Sequence, residues 1–255
     1  MERDNINIMI IYILWLRQIK RYLRSKSRLI GSLGQPVLFL VALGFGFGPI
    51  YAKAGGGNYI QFLAPGIIAM SILFTAIFAG IEVIWDKQFG FLKETLVAPV
   101  SRITIMFGRT LGGATVATIQ GLIVFIITLC IGFRPASFWG AILSIVIMFL
   151  VAMLFTALGT AIASRLEDMQ GFQLIMNFLV MPIFFLSGAL FPTIGLPEAL
   201  TIITRIDPLS YGVDALHNVL SGVSGFGLGL DLAVLSVLVV IITIIGAWQF
   251  SKIEI

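Results

Sequence analysis

Charge is what this 255-residue chain has least of: Asp, Glu, Lys and Arg make up 11% of it, against 59% hydrophobic residues and a mean hydropathy of +1.07. Globular domains carry about 25% charged residues, so a sizeable soluble domain is excluded and an integral membrane protein is indicated. Histidine and cysteine are nearly missing, with one of each, His217 and Cys130. That scarcity excludes an intramolecular disulfide, a CxxC redox pair and a Cys/His zinc site. No GxxxxGK[ST] run is present, so the chain has no P-loop of its own for a nucleotide. HExxH, GxSxG and clusters of acids with histidine are missing as well, and enzyme chemistry has little to stand on. The first residues have a short apolar core, Ile8 to Leu16, followed by bases and not by a small-residue cleavage site, so a cleaved signal peptide is not expected.

What the chain does have is length in apolar runs. A spanning helix needs about 20 mostly apolar residues, and six runs qualify: Leu29 to Ile50, Tyr59 to Trp85, Ile103 to Phe133, Phe138 to Ser164, Gly171 to Phe191 and Leu232 to Phe250. Pro36, Pro65 and Pro182 fall inside three of them, which a packed bundle tolerates because neighbours satisfy the freed carbonyls. Gly108 and Gly112 make a small-xxx-small pattern that lets helices approach closely. Ahead of the first run, Arg17, Lys20, Arg21, Arg24 and Arg28 recur at spacings of three and four and share one helical face, while Leu16, Ile19 and Leu23 share another. The pattern fits an amphipathic helix lying in the membrane surface, with Trp15 and Tyr22 suited to the headgroup zone. A basic flank that merely orients the first span fits it equally well.

Topology follows from the bases. With both termini inside, Arg3, Arg17, Lys20, Arg21, Arg24, Lys26, Arg28, Lys87, Lys93, Arg102, Arg165 and Lys252 are cytoplasmic, while only Lys53, Arg134 and Arg205 lie outside. That is the bias of a positive-inside protein. It accounts for the net charge of +4 without a nucleic-acid partner. On the outer side, residues 192–231 are apolar but broken by Pro192, Pro197, Pro208 and several glycines. The pieces Ala199 to Ile206 and Tyr211 to Leu220 are too short to cross, and predict helices that re-enter the outer leaflet or cap the bundle. Residues 1–28 form the interfacial part, 86–102 a cytoplasmic loop and 192–231 the outer region of a single membrane domain.

The middle of every span is uncharged, which weakens an ion-driven carrier, since such proteins mark their site with a charge in the membrane. Glu82 and Arg109 lie near inner span ends and are close enough in depth to pair; snorkelling to the surface is the other reading. Between the second and third spans comes DKQFGFLKETLVAPVSR, Asp86 to Arg102. On a helical wheel Phe89, Leu92 and Leu96 form an apolar stripe, with Phe91 nearly opposite among Lys87 and Glu94. Pro99 ends the helix. Its free face is either an anchor for a protein partner or a solvated loop helix with Phe91 against lipid.

This stretch resembles the cytoplasmic segment of ABC type-2 transporter permeases, including the daunorubicin-resistance membrane subunits, in its charged start, Gly90, Glu94 and closing Pro99-Val100-Ser101-Arg102. A second similarity runs from Asn177 through Met181-Pro182, Phe185-Leu186-Ser187-Gly188-Ala189 and Phe191-Pro192 to Asp207-Pro208-Leu209-Ser210-Tyr211 and Asp214-Ala215-Leu216. The family usually carries Arg or Gln where this chain has His217. The resemblance implies an all-α polytopic permease subunit of an exporter, working as a homodimer or with a related permease, with ATP bound by two separate ATP-binding subunits and no cofactor of its own. It makes Asp86, Lys87, Gly90, Phe91, Lys93, Glu94, Pro99 and Arg102 the coupling segment, and the N-terminal helix a second contact with the ATPase. Pro182, Ser187 and Gly188 would line or gate the pathway. An amphipathic drug, a lipid or a lipid-linked glycan is the implied cargo, and an ion-coupled carrier or channel is the competing reading.

Overall fold

All of the spans form as helices in this computed structural model, which describes residues 2–55, 57–90, 101–192 and 197–251. Among them are ten helices and no strand: α1 Glu2–Arg24, α2 Lys26–Lys53, α3 Tyr59–Phe78, α4 Ile81–Gln88, α5 Arg102–Ile131, α6 Phe138–Ala163, α7 Met169–Leu186, α8 Glu198–Ile206, α9 Pro208–Ser221 and α10 Leu228–Ser251. Helices dominate for a physical reason: where no water reaches, each backbone group needs an internal partner, and a helix supplies it within one segment. Six stretches are long and apolar enough to cross a bilayer: Leu29–Lys53, Tyr59–Gln88, Arg102–Ile131, Phe138–Ala163, Met169–Leu186 and Leu228–Phe250. The fifth stops before the expected Phe191, because Ser187 ends α7 and Gly188 turns into the left-handed region at φ +81°.

The second span is the axis of the bundle. In its apolar stretch 78% of residues are buried, against 17%, 22% and 11% in the spans of α2, α7 and α10, which form the rim. This span bends between α3 and α4, and the bend packs on α6 through Gly80: a Cβ there would lie 2.4 Å from the Gly159 carbonyl oxygen. Only glycine allows that approach. Around α3 the aromatic side chains of three helices meet, with Phe184 of α7 edge-on to both Phe39 of α2 and Phe74 of α3.

α1 is a helix, as expected, but it has a third face. Its contacts advance in step with α5, from Asn7 beside Thr104, through Ile11 and Leu14 over Gly108 and Gln18 over Gly112, to Tyr22 beside Gln120. The small-xxx-small pattern therefore seats a helix of the same chain. Trp15 Nε1 donates to Thr115 Oγ1 at 3.0 Å, and the hydroxyl of Tyr22, a residue 1% exposed, donates to Gln120 Oε1. Both aromatics thus turn toward the bundle, where α5 offers each a polar partner.

Between the fifth and sixth spans lie two short helices, α8 and α9. At about 1.5 Å per residue neither α8 nor α9 reaches across about 30 Å of hydrocarbon. Asp207 begins α9 as its N-cap, accepting from the Leu209 amide at 2.9 Å, with Pro208 in the first turn. Burial pushes its carboxyl up from 3.8 to about 7, against the opposing bonds from Leu209 and Ser210. α9 packs its Leu209, Val213, Leu216 and Leu220 into the core.

Candidate functional site

The charged residues of the second span converge at one end, which we call the basic end. Asp86, 3% exposed, accepts from two arginines of different helices: Arg109 Nη2 of α5 at 2.5 Å and Arg17 Nη2 of α1 at 3.1 Å. One turn back, Glu82 bridges to Arg21 at 3.5 Å, and the Arg21 guanidinium lies 5.8 Å from the Trp85 ring centre. Both members of the anticipated Glu82 and Arg109 pair join this cluster, but with other partners. Depth in the membrane put them level; the lateral order of α1, α4 and α5 decides which acid meets which base. Opposed charges are the only inexpensive company for the Arg109 side chain, which is 4% exposed.

The next residues tie the same segment to the other side of the bundle. Lys87 Nζ donates to the carbonyls of Ser164 at 2.6 Å and Leu166 at 3.1 Å, where α6 ends and its last carbonyls lack helical partners. Gln88 Nε2 donates to the Glu167 carbonyl at 3.1 Å, and Trp85 Nε1 approaches Met169 Sδ of α7. Phe89 is then 70% exposed, and Gly90 takes φ +78°. The side chains of Asp86 and Lys87, both expected in the coupling segment, point into the bundle and hold the start of that segment. Phe91, Lys93, Glu94 and Pro99 lie outside the described residues. Arg102 opens α5, whose N-cap Ser101 accepts from the Thr104 amide at 3.1 Å.

At the opposite end the joints are of another kind. Pro65 has no amide hydrogen, which frees the Gln61 carbonyl, and Ser221 Oγ donates to it at 3.2 Å. The next carbonyl, Phe62, accepts from His217 Nε2 at 2.8 Å, and the imidazole stacks on the Phe62 ring at 5.0 Å. Its other nitrogen, Nδ1, lies 3.1 Å from the Val213 carbonyl. Burial lowers the His217 pKa, against the carbonyl bonds and the nearby Asp214 charge, which raise it. His217 is thus a brace between α9 and α3, a role its sequence position did not reveal.

Ser187 and Gly188, expected at the pathway, line a 430 Å³ cavity here with Phe62, Asp214 and His217. Ser187 Oγ donates to the Phe184 carbonyl at 2.8 Å, and Tyr59 reaches past it to the Leu190 carbonyl at 2.8 Å. Pro182 lies inside α7, away from this cavity. Asp214 closes the loop before α10 by accepting from the amides of Gly225 at 2.6 Å and Phe226 at 2.8 Å. Among the described residues no cluster of His, Cys, Asp or Glu could hold a metal ion.

Comparison with known proteins bears on this arrangement. The family model of the ABC-2 type transporter matches residues 10–221. Nodulation protein J of Rhizobium leguminosarum bv. viciae is 27% identical over 235 residues, covering 89% of this chain and 90% of the relative. The transport permease ycf38 of Pyropia yezoensis is 30% identical over 216 residues, 82% of this chain and 72% of the relative. The match takes in α5, α9 and all but the first residues of α1, so both ends of the bundle described above fall within it.

Proposed function

Since the chain belongs to the ABC-2 type transporter family and is a membrane transport permease of an ABC system, we propose that it is the permease subunit of an ATP-driven exporter. In this reading the basic end faces the cytoplasm with both termini, in the cell membrane. Two ATP-binding subunits, separate chains, bind and hydrolyse ATP; the permease works as a homodimer or beside a related permease. The cargo is an amphipathic drug, a lipid or a lipid-linked glycan, moved outward. The single domain divides its labour: residues 86–102 receive the ATPase, α1 supports that contact, and the outer region from residue 192 to 231 caps the exit.

The observation that carries the reading is the double anchoring of Asp86 and Lys87. A segment that docks a moving partner transmits force only if its root is fixed, and this root is bonded to α1 and α5 on one side and to the end of α6 on the other. A push on residues 91–100 then reaches three helices at once. Coupling through packed, bonded elements with more than one arrangement is how such motion is carried. The test is Phe91→Asp in the permease purified with its cognate ATPase. Loss of the ATPase, or of transport-coupled hydrolysis, from a permease that still folds is the expected result. Unchanged assembly and coupling would sink the assignment, and transport driven by an ion gradient in liposomes without any ATPase would favour an ion-coupled carrier.

A further inference from the structure

The basic face of α1 is only half used by the bundle. One face of the helix, Ile11, Leu14, Gln18 and Tyr22, lies against α5. A second, Tyr12, Leu16, Ile19 and Leu23, is apolar and leaves Tyr12 55% and Leu23 57% exposed. On the third, Arg17 and Arg21 turn to Asp86 and Glu82, whereas Lys20 and Arg24 have no acidic partner among the described residues. Nor does Lys26, just across the break at Ser25. Between α1 and the first turn of α2 runs a groove where the free bases Lys20, Arg24 and Lys26 stand beside the paired Arg17 and Arg21, with Leu16 and Ser25 also in its lining. The Ser25 side chain makes no cap bond to α2, so the hydroxyl and the amides of that first turn remain available as donors.

We propose that this groove binds the headgroup phosphate of one anionic phospholipid, whose acyl chain lies along Tyr12, Ile19 and Leu23. The bases and the helix N-terminus match a phosphate. The neighbouring apolar stripe decides between lipid and protein: an acidic protein surface would satisfy Lys20, Arg24 and Lys26 but gain nothing from the stripe, whereas a lipid satisfies both. The place agrees, because the first span begins at Leu29, three residues beyond Lys26. Basic clusters beside a span attract anionic lipids in this manner. Binding relieves the repulsion among the three free bases and steadies α1, whose Arg17 and Arg21 hold the root of the coupling segment. The inference rests on reading this end as the cytoplasmic membrane surface.

The test is native mass spectrometry of the full chain in detergent, offered phosphatidylglycerol or phosphatidylcholine of matched acyl chains, with and without the ATPase. Three bases around one phosphate predict retention of one phosphatidylglycerol per chain, with a preference on the order of a hundredfold. K20Q/R24Q/K26Q should bring the ratio close to one, and K20R/R24K/K26R should restore it. Circular dichroism reports whether each variant is folded; if the triple variant is not, K20Q and R24Q singly should each lower the ratio about fivefold. Equal retention of the two lipids by the wild-type chain overturns the proposal, as does an unchanged ratio in the folded glutamine variants. Displacement of the lipid by millimolar inorganic phosphate makes the groove a site for free anions and overturns it too. Loss of the ATPase from the folded glutamine variants with their lipid preference intact makes the groove a protein dock, with the same consequence. A chain that holds the ATPase without lipid preference sinks this inference alone, and one with the preference but no ATPase sinks only the coupling reading.

Discussion

The two ends of the bundle are fastened by different chemistry. At the basic end, Asp86 and Glu82 join α4 to α1 and α5 through paired charges, while Lys87 and Gln88 reach backbone carbonyls, those that follow α6. At the opposite end, Tyr59, His217 and Ser221 reach across helices to backbone carbonyls. The difference is one of range. A Coulomb attraction falls off slowly with distance, and long arginine side chains follow a partner that shifts; a hydrogen bond weakens within a few tenths of an ångström and a few tens of degrees. The α1 side of the basic end can therefore shift while the root stays bonded to α5 and to the end of α6. The opposite end, made of short bonds to backbone carbonyls, behaves as a fixed cap. On the proposed function, that puts compliance at α1, beside the segment that would receive the ATPase, and rigidity at the far end.

The strongest way to break this comparison is to remove the acid on which the basic end converges. Asp86→Ala leaves the buried Arg109 guanidinium without its anion, and truncating one member of a buried pair costs about 3–5 kcal/mol. Denaturant unfolding in detergent should register most of that loss. A second change, Arg109→Leu, should restore part of it, because the stranded charge is then gone. If Asp86→Ala is silent, charge does not fasten this end.

At the opposite end one electrostatic lever is Asp207. Its folded-state pKa is raised to about 7, while the unfolded group ionises near its ordinary 3.8. Between these values the folded chain holds the extra proton, so stability falls as pH rises through that window and levels off above about 7. Asp207→Asn keeps an N-cap acceptor for Leu209 and removes the titration. The variant should show a flatter profile from pH 4 to 7, with an advantage over the wild type on the order of a few kcal/mol at pH 8. A smaller effect is expected for Ser221→Ala, which returns the Gln61 carbonyl to the unpaired state imposed by Pro65. The loss should be about 1 kcal/mol by the same unfolding measurement.

Six spans were legible in the sequence because each needs only length and apolarity, which local composition carries. The partners at the basic end were not. Glu82 and Arg109 are level by residue count, but which side chains meet depends on the lateral order of helices, and hydropathy carries no lateral information. The docked face of α1 was closer to being read. Ile11, Leu14, Gln18 and Tyr22 recur at spacings of three and four, and Gly108 with Gly112 supplies the matching seat. Reading Trp15 and Tyr22 as headgroup anchors hid it, since an amphipathic aromatic serves a membrane surface and a buried polar contact equally well. His217 shows the opposite failing: a lone histidine has no pattern, and the carbonyl it braces, Phe62, comes from a helix far away in the chain.

The sharpest test of the comparison is also the smallest effect, because it separates two arginines on one carboxylate. Arg17 and Arg109 both bond Asp86, at 3.1 and 2.5 Å, yet their side chains are 41% and 4% exposed. A half-exposed pair gains little, since water screens it and ordering a long side chain opposes it; such pairs contribute about 0–1 kcal/mol. Asp86 also keeps Arg109 when Arg17 is removed, so no charge is stranded. Arg17→Gln should therefore shift the unfolding midpoint barely measurably, and raising salt should erase the difference. Its effect should appear in coupling: with α1 released from the root of the 86–102 segment, ATP hydrolysis by the associated ATPase should respond less to transport, while fold and assembly persist. Equal losses of stability for Arg17→Gln and Asp86→Ala would mean that α1 is part of the rigid core and not a compliant strut at the driven end.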